Sequence, residues 1–296
     1  MFADVTVVIL TKNEEDNLPK ALASVKPFAR RIVVVDSGST DRTLQIAREA
    51  GAEVYHNDWV NHAVQINWGI ANTNITTGWT FRLDADEEVL PDLREFFTGR
   101  LDAVPADVDG IMPRRRMYFL GRWIRHGGMY PNYVLRLFRT GKGHCEMRVM
   151  DEHMIVPGRV IHLDADLKDD NTKSLRWWTA KHNWYSDREL FEMLEAENST
   201  ERKSSIEARL FGTFAERKRW LKVRLYGAVP PAWRSWMYFM YRYYILRGFL
   251  DGPEGRIYHF LQGYWYRFLV DAKHYEASKF PKIKDELVKE VQKSLG

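Results

Sequence analysis

The feature that most constrains the fold is a series of four strand-like runs, the first of them continuously apolar and β-branched, that alternate with short amphipathic stretches. The first two runs are VTVVIL (5–10) and RIVVVD (31–36), and the next two are AEVYH (52–56) and WTFRLDAD (79–86). A strand that is apolar on both faces is typical of a parallel sheet that helices cover on both sides. The alternation therefore predicts an α/β fold with an open, mostly parallel twisted sheet flanked by helices.

The rhythm changes after Pro91, where shorter runs predict strands of a mixed extension of the sheet: GIMPRRRMYFLG (110–121), YVLRLFRTGKG (133–143) and GRVIHLDAD (158–166). From Thr172 onward the apolar spacing is helical and predicts one long amphipathic helix, followed by further helices around 203–225 and 232–247. We expect a catalytic α/β domain over residues 1–170 and a helical C-terminal region over residues 171–296.

The composition is that of a folded protein, since 45% of the 296 residues are hydrophobic and 28% are charged. The single cysteine, Cys145, excludes an internal disulfide and favours a reducing compartment. No apolar run reaches the roughly 18–20 residues that a membrane span needs. The N-terminal run also lacks the basic segment of a signal peptide. We therefore expect a cytoplasmic protein, either free or peripheral to a membrane.

Polar loops follow the first, second and fourth predicted strands, with the sequences TKNEE, DSGSTD and DADEE. Ligands of open parallel sheets bind beyond the carboxyl ends of the strands, so we expect these loops to converge at one edge. Asp36 is suited to accept hydrogen bonds from a ribose or a base, and the small residues after it give a permissive backbone. Thr40 or Asp41 is equally suited to capping the next helix.

The DAD sequence is a candidate metal site. Asp84 and Asp86 are two residues apart, so an extended chain directs both carboxylates to one side. Such oxygens suit Mg²⁺ or Mn²⁺, which would neutralise charge on a departing diphosphate. An isolated DAD would more simply be a solvated acidic turn, with Glu87 and Glu88 favouring the following helix N-terminus. The two companion loops favour the metal interpretation.

Four segments in order resemble family 2 glycosyltransferases of the GT-A fold: VVILTKNEEDNLPKALASV, IVVVDSGSTDRTLQIARE, QINWGIAN and FRLDADEEV. The resemblance is greatest to the bacterial branch that builds lipopolysaccharide core and exopolysaccharide. It spans roughly residues 4–170 and continues more loosely to about residue 276. It implies inverting transfer of a sugar from a nucleotide-sugar donor, with a UDP-hexose as the commonest choice in the family.

The resemblance also implies roles for individual residues. One group would line the nucleobase pocket or contact the nucleoside and diphosphate: Thr11, Asn13, Glu14, Asp36, Ser37, Gln65 and Asn67. Asp86 would be the main metal ligand, and Asp84 would contact the metal or the ribose.

An inverting transfer needs a general base that takes the proton of the acceptor hydroxyl. RVMDEHMIVPG (148–158) offers Asp151 and Glu152 in an apolar setting, where burial raises a carboxylate pKa. Counting back from Gly158 matches Glu152 with the acidic residue of the resembling enzymes. Asp151 is the alternative, because this sequence has Asp-Glu-His where those enzymes often have His-Glu. His153 is suited to ligating a metal, to orienting the base or to a structural hydrogen bond.

Seven arginines lie among aromatic residues in positions 113–139. Positive charge on the acceptor side suits a lipid-diphosphate-linked glycan, and Arg116, Arg125 and Arg136 are the candidates. The other arginines are explained as surface or sheet-edge charges.

The stretch 201–250 has 11 basic and 3 acidic residues, interleaved with Trp and Tyr. This pattern predicts amphipathic helices on an anionic membrane surface, with a soluble helical domain as the alternative. A nucleic-acid surface is disfavoured, because residues 1–100 carry a net charge of −5 and no nucleic-acid motif is present.

Together these features predict a metal-dependent glycosyltransferase that is peripheral to the inner face of the cytoplasmic membrane. Two other classes share some of them: a sugar-phosphate nucleotidyltransferase and a non-catalytic membrane-associated scaffold with the same fold. The first would need a Gly-rich basic phosphate loop after the first strand, where this chain has the acidic TKNEE.

Overall fold

In a computed structural model, the structure describes residues 2–147, 152–198 and 230–295. The chain divides into two compact units. The first is Met1–Ser174 together with Leu295–Gly296, and the second is Leu175–Ser294.

The first unit is built on a nine-stranded sheet. Its strands are β1 (Ala3–Thr11), β2 (Ala29–Asp36), β3 (Glu53–His56), β4 (Trp79–Asp84), β5 (Glu87–Val89), β6 (Val108–Phe119), β7 (Arg122–Trp123), β8 (Leu137–Arg139) and β11 (Arg159–Asp169), while β9 (His144–Cys145) and β10 (Met154–Ile155) form a separate hairpin. The order is β3-β2-β1-β4-β8-β6-β11-β5, with β7 paired to β6.

The sheet is mixed. The β1–β2, β1–β4, β2–β3 and β6–β11 pairs are parallel, whereas β8 is antiparallel to both β4 and β6. The expected α/β fold and its mixed extension are therefore confirmed. The predicted strand over 133–143 is shorter than expected, because only Leu137–Arg139 forms a ladder and Tyr133 makes an isolated bridge to Arg114.

The helices of this unit explain why the strands are apolar on both faces. They are α1 (Leu18–Val25), α2 (Thr43–Glu49), α3 (His62–Asn72) and α4 (Pro91–Gly99), followed by a 3₁₀ turn at Leu101–Ala103. In β1, Val5, Val7 and Ile9 join the core formed with α1, α2 and α4. Val8 points the other way and packs with Ile66 of α3. Both faces of the strand are thus removed from water.

The parallel register places the loops that matter at one edge. Thr11, the last residue of β1, pairs with Asp36, and its neighbour Leu10 pairs with Asp84. The expected convergence of TKNEE, DSGSTD and DADEE is therefore confirmed.

The second unit is helical in its described part. Its α-helices are α5 (Leu175–Asn198), α6 (Pro231–Met240), α7 (Gly252–Phe260), α8 (Tyr266–Lys279) and α9 (Pro281–Leu295). A π-helical segment (Tyr241–Ile245) continues α6, a 3₁₀ turn (Gly248–Asp251) precedes α7, and a second π-helical segment (Leu261–Trp265) joins α7 to α8. The helix expected over 203–225 lies outside the described residues. Within the described ranges, none of the helices combines the length and apolar character needed to cross a membrane.

An aromatic cluster anchors α4 to the sheet and gives a test of the core. Phe28 is fully buried and stacks on Phe97, with 4.3 Å between the ring centroids. We expect Phe28→Ala to lower the free energy of unfolding by about 3–5 kcal/mol, because a large buried ring leaves a cavity. Urea denaturation measures the loss. Phe2→Ala is the control, since Phe2 is exposed and its removal should change stability by less than about 0.5 kcal/mol. Equal effects of the two substitutions would contradict this packing.

Candidate active site

The loops after β1 and β2 are joined by hydrogen bonds. The Thr11 hydroxyl donates to Asp36 Oδ1 at 2.9 Å. The backbone N–H of Thr40 donates to Asn13 Oδ1 at 2.8 Å, and the N–H of Asn13 donates to the Ser39 hydroxyl at 2.8 Å. Asn13 adopts a positive φ of 55°, a conformation that Asn tolerates better than most residues. The residues expected to line the nucleobase pocket thus form one cross-linked wall.

Asp36 organises the turn that follows it. It is buried, and its Oδ2 accepts the N–H groups of Gly38 at 2.9 Å and Ser39 at 2.8 Å. Its Oδ1 accepts the hydroxyls of Ser39 and Thr11. Gly38 has φ +81°, which a residue with a Cβ adopts only at a cost. Both carboxylate oxygens therefore have protein partners, and the contact with a nucleoside expected for Asp36 stays a prediction.

Gln65 and Asn67 lie on α3 and bond to different neighbours. Gln65 is fully buried, and its Nε2 donates to the Ser37 hydroxyl at 2.8 Å. Its Oε1 accepts from Asn57 at 2.7 Å. Asn67 instead binds the backbone of Cys145, donating to its carbonyl and accepting from its N–H, both at 2.8 Å. Asn67 thus fixes the β9–β10 hairpin to α3.

Glu14 connects the β1 loop to the end of the first unit. Its Oε1 accepts from Lys173 Nζ at 2.6 Å, and its Oε2 accepts from Asn17 at 2.7 Å. The side-chain oxygen of Asn17 in turn accepts from Thr172 at 2.7 Å. These bonds hold the segment after β11 against the β1 loop.

Arg136 is buried beneath the acidic turn and binds two of its carboxylates. Its Nη2 lies 2.6 Å from Asp84 Oδ2 and 2.5 Å from Glu87 Oε1. Glu87 is 1% exposed and also accepts the backbone N–H of Asp84 at 3.1 Å. Arg136 was expected on the acceptor side; in the structure its burial removes the guanidinium from solvent and pairs it with the turn.

The electrostatics of the turn follow from this pairing. Burial opposes ionisation of Asp84, but the positive charges of Arg136 and Arg82 outweigh it and lower the pKa of Asp84 below its ordinary value. Burial raises the pKa of Glu87, with Arg136 opposing the rise. Arg136 keeps a raised pKa despite burial, because Asp84 and Glu87 surround it. The Asp84 carboxylate is therefore held ionised and in one orientation.

His62 and Arg82 complete the surroundings of Asp84. Burial, followed by the charge of Arg82, lowers the pKa of His62 to about 4, so the imidazole is neutral at pH 7. Arg82 Nη2 lies 3.3 Å from His62 Nε2 and 3.4 Å from Asp84 Oδ1. The sequence does not predict either role: Arg82 lies within FRLDADEEV and His62 just before QINWGIAN, but no spacing shows that the two side chains meet.

Asp86 lies beside a carboxylate that the sequence reasoning missed. Asp86 Oδ2 accepts from Asn171 Nδ2 at 2.8 Å. Asp169, at the carboxyl end of β11, pairs with Glu87 across the β5–β11 ladder. Burial and then the charge of Asp86 raise the pKa of Asp169 to about 8, against the influence of Arg115. The strand predicted over 158–166 extends to Asp169 in the structure. This extension brings Asp169 to the edge of the sheet at which the acidic turn lies.

These residues fit a divalent cation that arrives with a nucleotide. Among the side chains that the structure describes, no three His, Cys, Asp or Glu residues lie close enough together to form a metal cage. Mg²⁺ in nucleotide enzymes is commonly held by only one or two carboxylates plus substrate phosphates. Asp86 suits that role best, because Asp84 is paired with Arg136 and Asp86 has no ion pair among the described side chains.

The β9–β10 hairpin carries the candidate base. Burial raises the pKa of the Cys145 thiol to about 11, and Glu152 and Asp84 both add to the rise, so both lie within electrostatic range of Cys145. His153 is exposed and its Nδ1 lies 3.0 Å from Glu146 Oε1. This pairing matches the structural role considered for His153. Asp151 lies outside the described residues.

The two remaining candidate arginines share one aromatic ring. Arg116 binds the buried Asp166 at 2.5 Å, and its guanidinium lies 4.6 Å from the centre of the Trp123 ring. Arg125 is exposed and lies 5.3 Å from the same ring. Among the described residues Arg125 has no carboxylate partner. Of the two, Arg125 has the charge available to an anionic ligand.

Arg136→Met tests the buried pairing. Removing the guanidinium leaves the buried Glu87 without its ion-pair partner and leaves Asp84 with only the more distant Arg82, so we expect a loss of about 3–5 kcal/mol in the free energy of unfolding. Chemical denaturation at pH 7 measures it. Arg30→Met removes an exposed ion pair with Asp4 and should cost less than about 1 kcal/mol. Unchanged stability of Arg136→Met would show that the two carboxylates do not depend on Arg136.

Asn67→Ala tests the attachment of the hairpin through the reactivity of the buried Cys145, the chain's single cysteine. Losing two hydrogen bonds of about 1 kcal/mol each should raise the rate of thiol labelling at least ~10-fold under native conditions. Asn72→Ala is the matched control, since Asn72 donates only to Trp68 on its own helix. Equal labelling rates in the two variants would contradict the role of Asn67.

Comparison with known proteins identifies the family. The model of glycosyl transferase family 2 matches residues 6–154, which is half of the chain. The lipopolysaccharide core biosynthesis glycosyltransferase LpsC of Rhizobium meliloti is 27% identical over 269 residues, covering 86% of this chain and 88% of that protein. An uncharacterized glycosyltransferase of Rickettsia bellii is 37% identical over 91 residues, or 31% of this chain and 30% of the relative.

Apart from LpsC, the coverage is partial. The chain spans less than a third of the length of the relatives that it matches over about 90 residues. A solved structure of glucosyl-3-phosphoglycerate synthase from Mycobacterium tuberculosis, in complex with Mn²⁺ and UDP, is 20% identical with a TM-score of 0.32. It covers 38% of this chain and 44% of that one, an extent that supports no conclusion about ligands. The match over half of the sequence shows the membership: this chain belongs to glycosyl transferase family 2.

Proposed function

We propose that this glycosyltransferase moves a sugar, with inversion, from a UDP-hexose to a lipid-diphosphate-linked saccharide in the synthesis of a bacterial surface polysaccharide. The observation that carries the proposal is the meeting of the acidic turn, the β1 loop and the β2 turn at one edge of the sheet. The similarity to LpsC over most of both chains supports the class of pathway.

On the donor side, the residues already joined to each other form a ready-made wall for the nucleoside. The cross-linked Asn13–Thr40 loops and the turn held by Asp36 would need little rearrangement to receive it. Glu14 and Gln65 are tied into the same wall through Lys173 and Ser37. Such preorganisation lowers the entropic cost of binding.

On the metal side, Mn²⁺ or Mg²⁺ would be held by Asp86, with Asp169 beside it and Asp84 oriented by Arg136. When bound, the cation would neutralise charge on the departing diphosphate. In this proposal Arg136 stabilises the acidic turn and does not contact the acceptor.

Glu152 is the proposed general base, with Asp151 as the alternative. A carboxylate here would take the proton of the acceptor hydroxyl, whose oxygen forms the new bond to the anomeric carbon. The bond from that carbon to the diphosphate breaks on the opposite face, so the configuration inverts. Asn67 supports the base by fixing the hairpin through Cys145.

On the acceptor side, Arg125 is the proposed contact for the anionic part of the acceptor. Its charge has no carboxylate partner among the described residues, whereas that of Arg116 is shared with Asp166. Arg116 would then position the Trp123 ring on which Arg125 lies. We place the enzyme at the inner face of the cytoplasmic membrane, where a lipid-linked acceptor is found.

The deciding experiment measures release of UDP from a panel of UDP-sugars in the presence of Mn²⁺. We expect slow release by the wild type and a loss of about 10²–10³-fold in Asp86→Ala, as for removal of one electrostatic stabiliser. Glu88→Ala is the matched control on the same turn, because Glu88 pairs with Lys168. Chelation of the metal should abolish release and Mn²⁺ should restore it.

The contrary results are distinct. Consumption of a nucleoside triphosphate with a sugar phosphate would indicate a nucleotidyltransferase, and no turnover of any donor would indicate a scaffold. For the base, Glu152→Gln should lower the transfer rate about 10²–10⁴-fold while the KM for the donor stays unchanged. An unaffected rate would move the role to Asp151.

A further inference from the structure

Helix α6 and its π-helical continuation are packed through their polar side. Ser235 is fully buried and its hydroxyl donates to Asp271 Oδ2 at 3.3 Å. Arg234 forms an ion pair with the same buried carboxylate through two nitrogens. Arg242, two turns further on, is only 7% exposed and lies over the Tyr238 ring. The charged and polar side chains of this helix therefore face the interior of the second unit.

The opposite side carries the apolar residues. Trp233 and Ile245 are 61% and 70% exposed, and the residues between them that share this side recur at helical spacing. We define the aromatic face as the exposed large side chains of this helix and of the 3₁₀ turn after it: Trp233, Trp236, Met237, Tyr241, Tyr244, Ile245, Phe249 and Leu250. A helix at a water-exposed surface normally has the reverse arrangement, with its apolar side inward. A contiguous apolar surface of this kind marks an interaction site.

The chemistry of the aromatic face favours a lipid surface. It is rich in Trp and Tyr, which prefer the headgroup region of a bilayer. No acidic residue occurs from Pro230 to Leu250 in the sequence. Arg247 is exposed within the same stretch. The preceding residues 199–229 contain eight basic and three acidic side chains. Basic residues next to an interfacial aromatic surface match an anionic membrane.

We propose that the aromatic face is the surface through which this protein docks on anionic lipid bilayers. The helix lies in the plane of the interface, with the side chains of the aromatic face inserted at headgroup depth. This assignment deepens the proposed function, since it rests on an enzyme whose acceptor is lipid-linked. Its test is nevertheless separate, because vesicle binding and UDP release are independent measurements.

The first experiment measures co-sedimentation of the full chain with vesicles of phosphatidylglycerol and phosphatidylcholine. We expect binding that weakens at high salt, and at least tenfold weaker partitioning for the triple variant Trp233→Ser, Tyr244→Ser and Ile245→Ser. The matched control changes three exposed residues of the same unit outside the aromatic face: Tyr275→Ser, Phe280→Ser and Ile283→Ser. Equal binding of the two triple variants would overturn the proposal.

A second measurement leaves the face almost intact and covers the case of a misfolded variant. Because Cys145 is buried, Ile245→Cys can be labelled alone with an environment-sensitive fluorophore. We expect a blue shift on addition of anionic vesicles and none for the control label at Tyr275→Cys. A blue-shifted probe before lipid is added, with no change afterwards, would overturn the proposal. That result would mean that residues 199–229 cover the aromatic face, or that a second copy of the chain covers it if light scattering shows a dimer.

UDP release is measured for the same protein variants in the absence of vesicles. Retained release by the triple variant that fails to bind vesicles supports docking as a separate property of the second unit. Absence of release from the wild type contradicts the proposed function, while vesicle binding through position 245 still supports docking.

Discussion

The guanidinium of Arg136, buried between Asp84 and Glu87, is the interaction on which the acidic turn depends. Four carboxylates in five residues would repel each other, and Glu87 is removed from water while Asp84 is partly buried. The shared guanidinium of Arg136 offsets this cost, because a carboxylate in a low-dielectric setting needs a positive partner to stay ionised. The pairing also separates the carboxylates of the turn: Asp84 and Glu87 bind Arg136, whereas Asp86 binds Asn171.

The rest of the site is arranged around that turn by hydrogen bonds that join separate strands and helices. Thr11 and Asn13 tie the β1 loop to the β2 turn, and Gln65 ties that turn to α3. From α3, Asn67 reaches the hairpin that carries Glu152. Residues that a motif comparison assigns to the donor therefore also hold the walls of the site together. A substitution at any of these residues moves the neighbouring walls of the site and also removes a contact. Its kinetic effect therefore needs a matching measurement of the free energy of unfolding.

The second unit also contains a buried ion pair, but that pair has a different structural consequence. In the first unit the buried Arg136–Glu87 pair supports the acidic turn at the sheet edge; in the second, the Arg234–Asp271 pair holds the polar side of α6 against the interior. Burying these groups carries a desolvation cost, which the pairing of Arg234 with Asp271 offsets in part. The same principle, that a buried charge must be paired, thus accounts for both features.

The α/β fold, the order of the polar loops and the family follow from the amino-acid sequence alone, because apolar runs and strand-end motifs are local properties. The sequence could not identify Arg136, His62, Arg82 and Asp169 as neighbours of the acidic turn. Arg136 directly precedes β8 and lies more than fifty positions after Asp84 in the sequence. Asp169 comes next to Glu87 through the pairing of β5 with β11. Nor could periodicity tell which side of α6 is buried, since Trp, Tyr and Arg recur on both. These contacts emerge from the three-dimensional structure, because burial and charge pairing depend on which distant residues the sheet and the helices bring together.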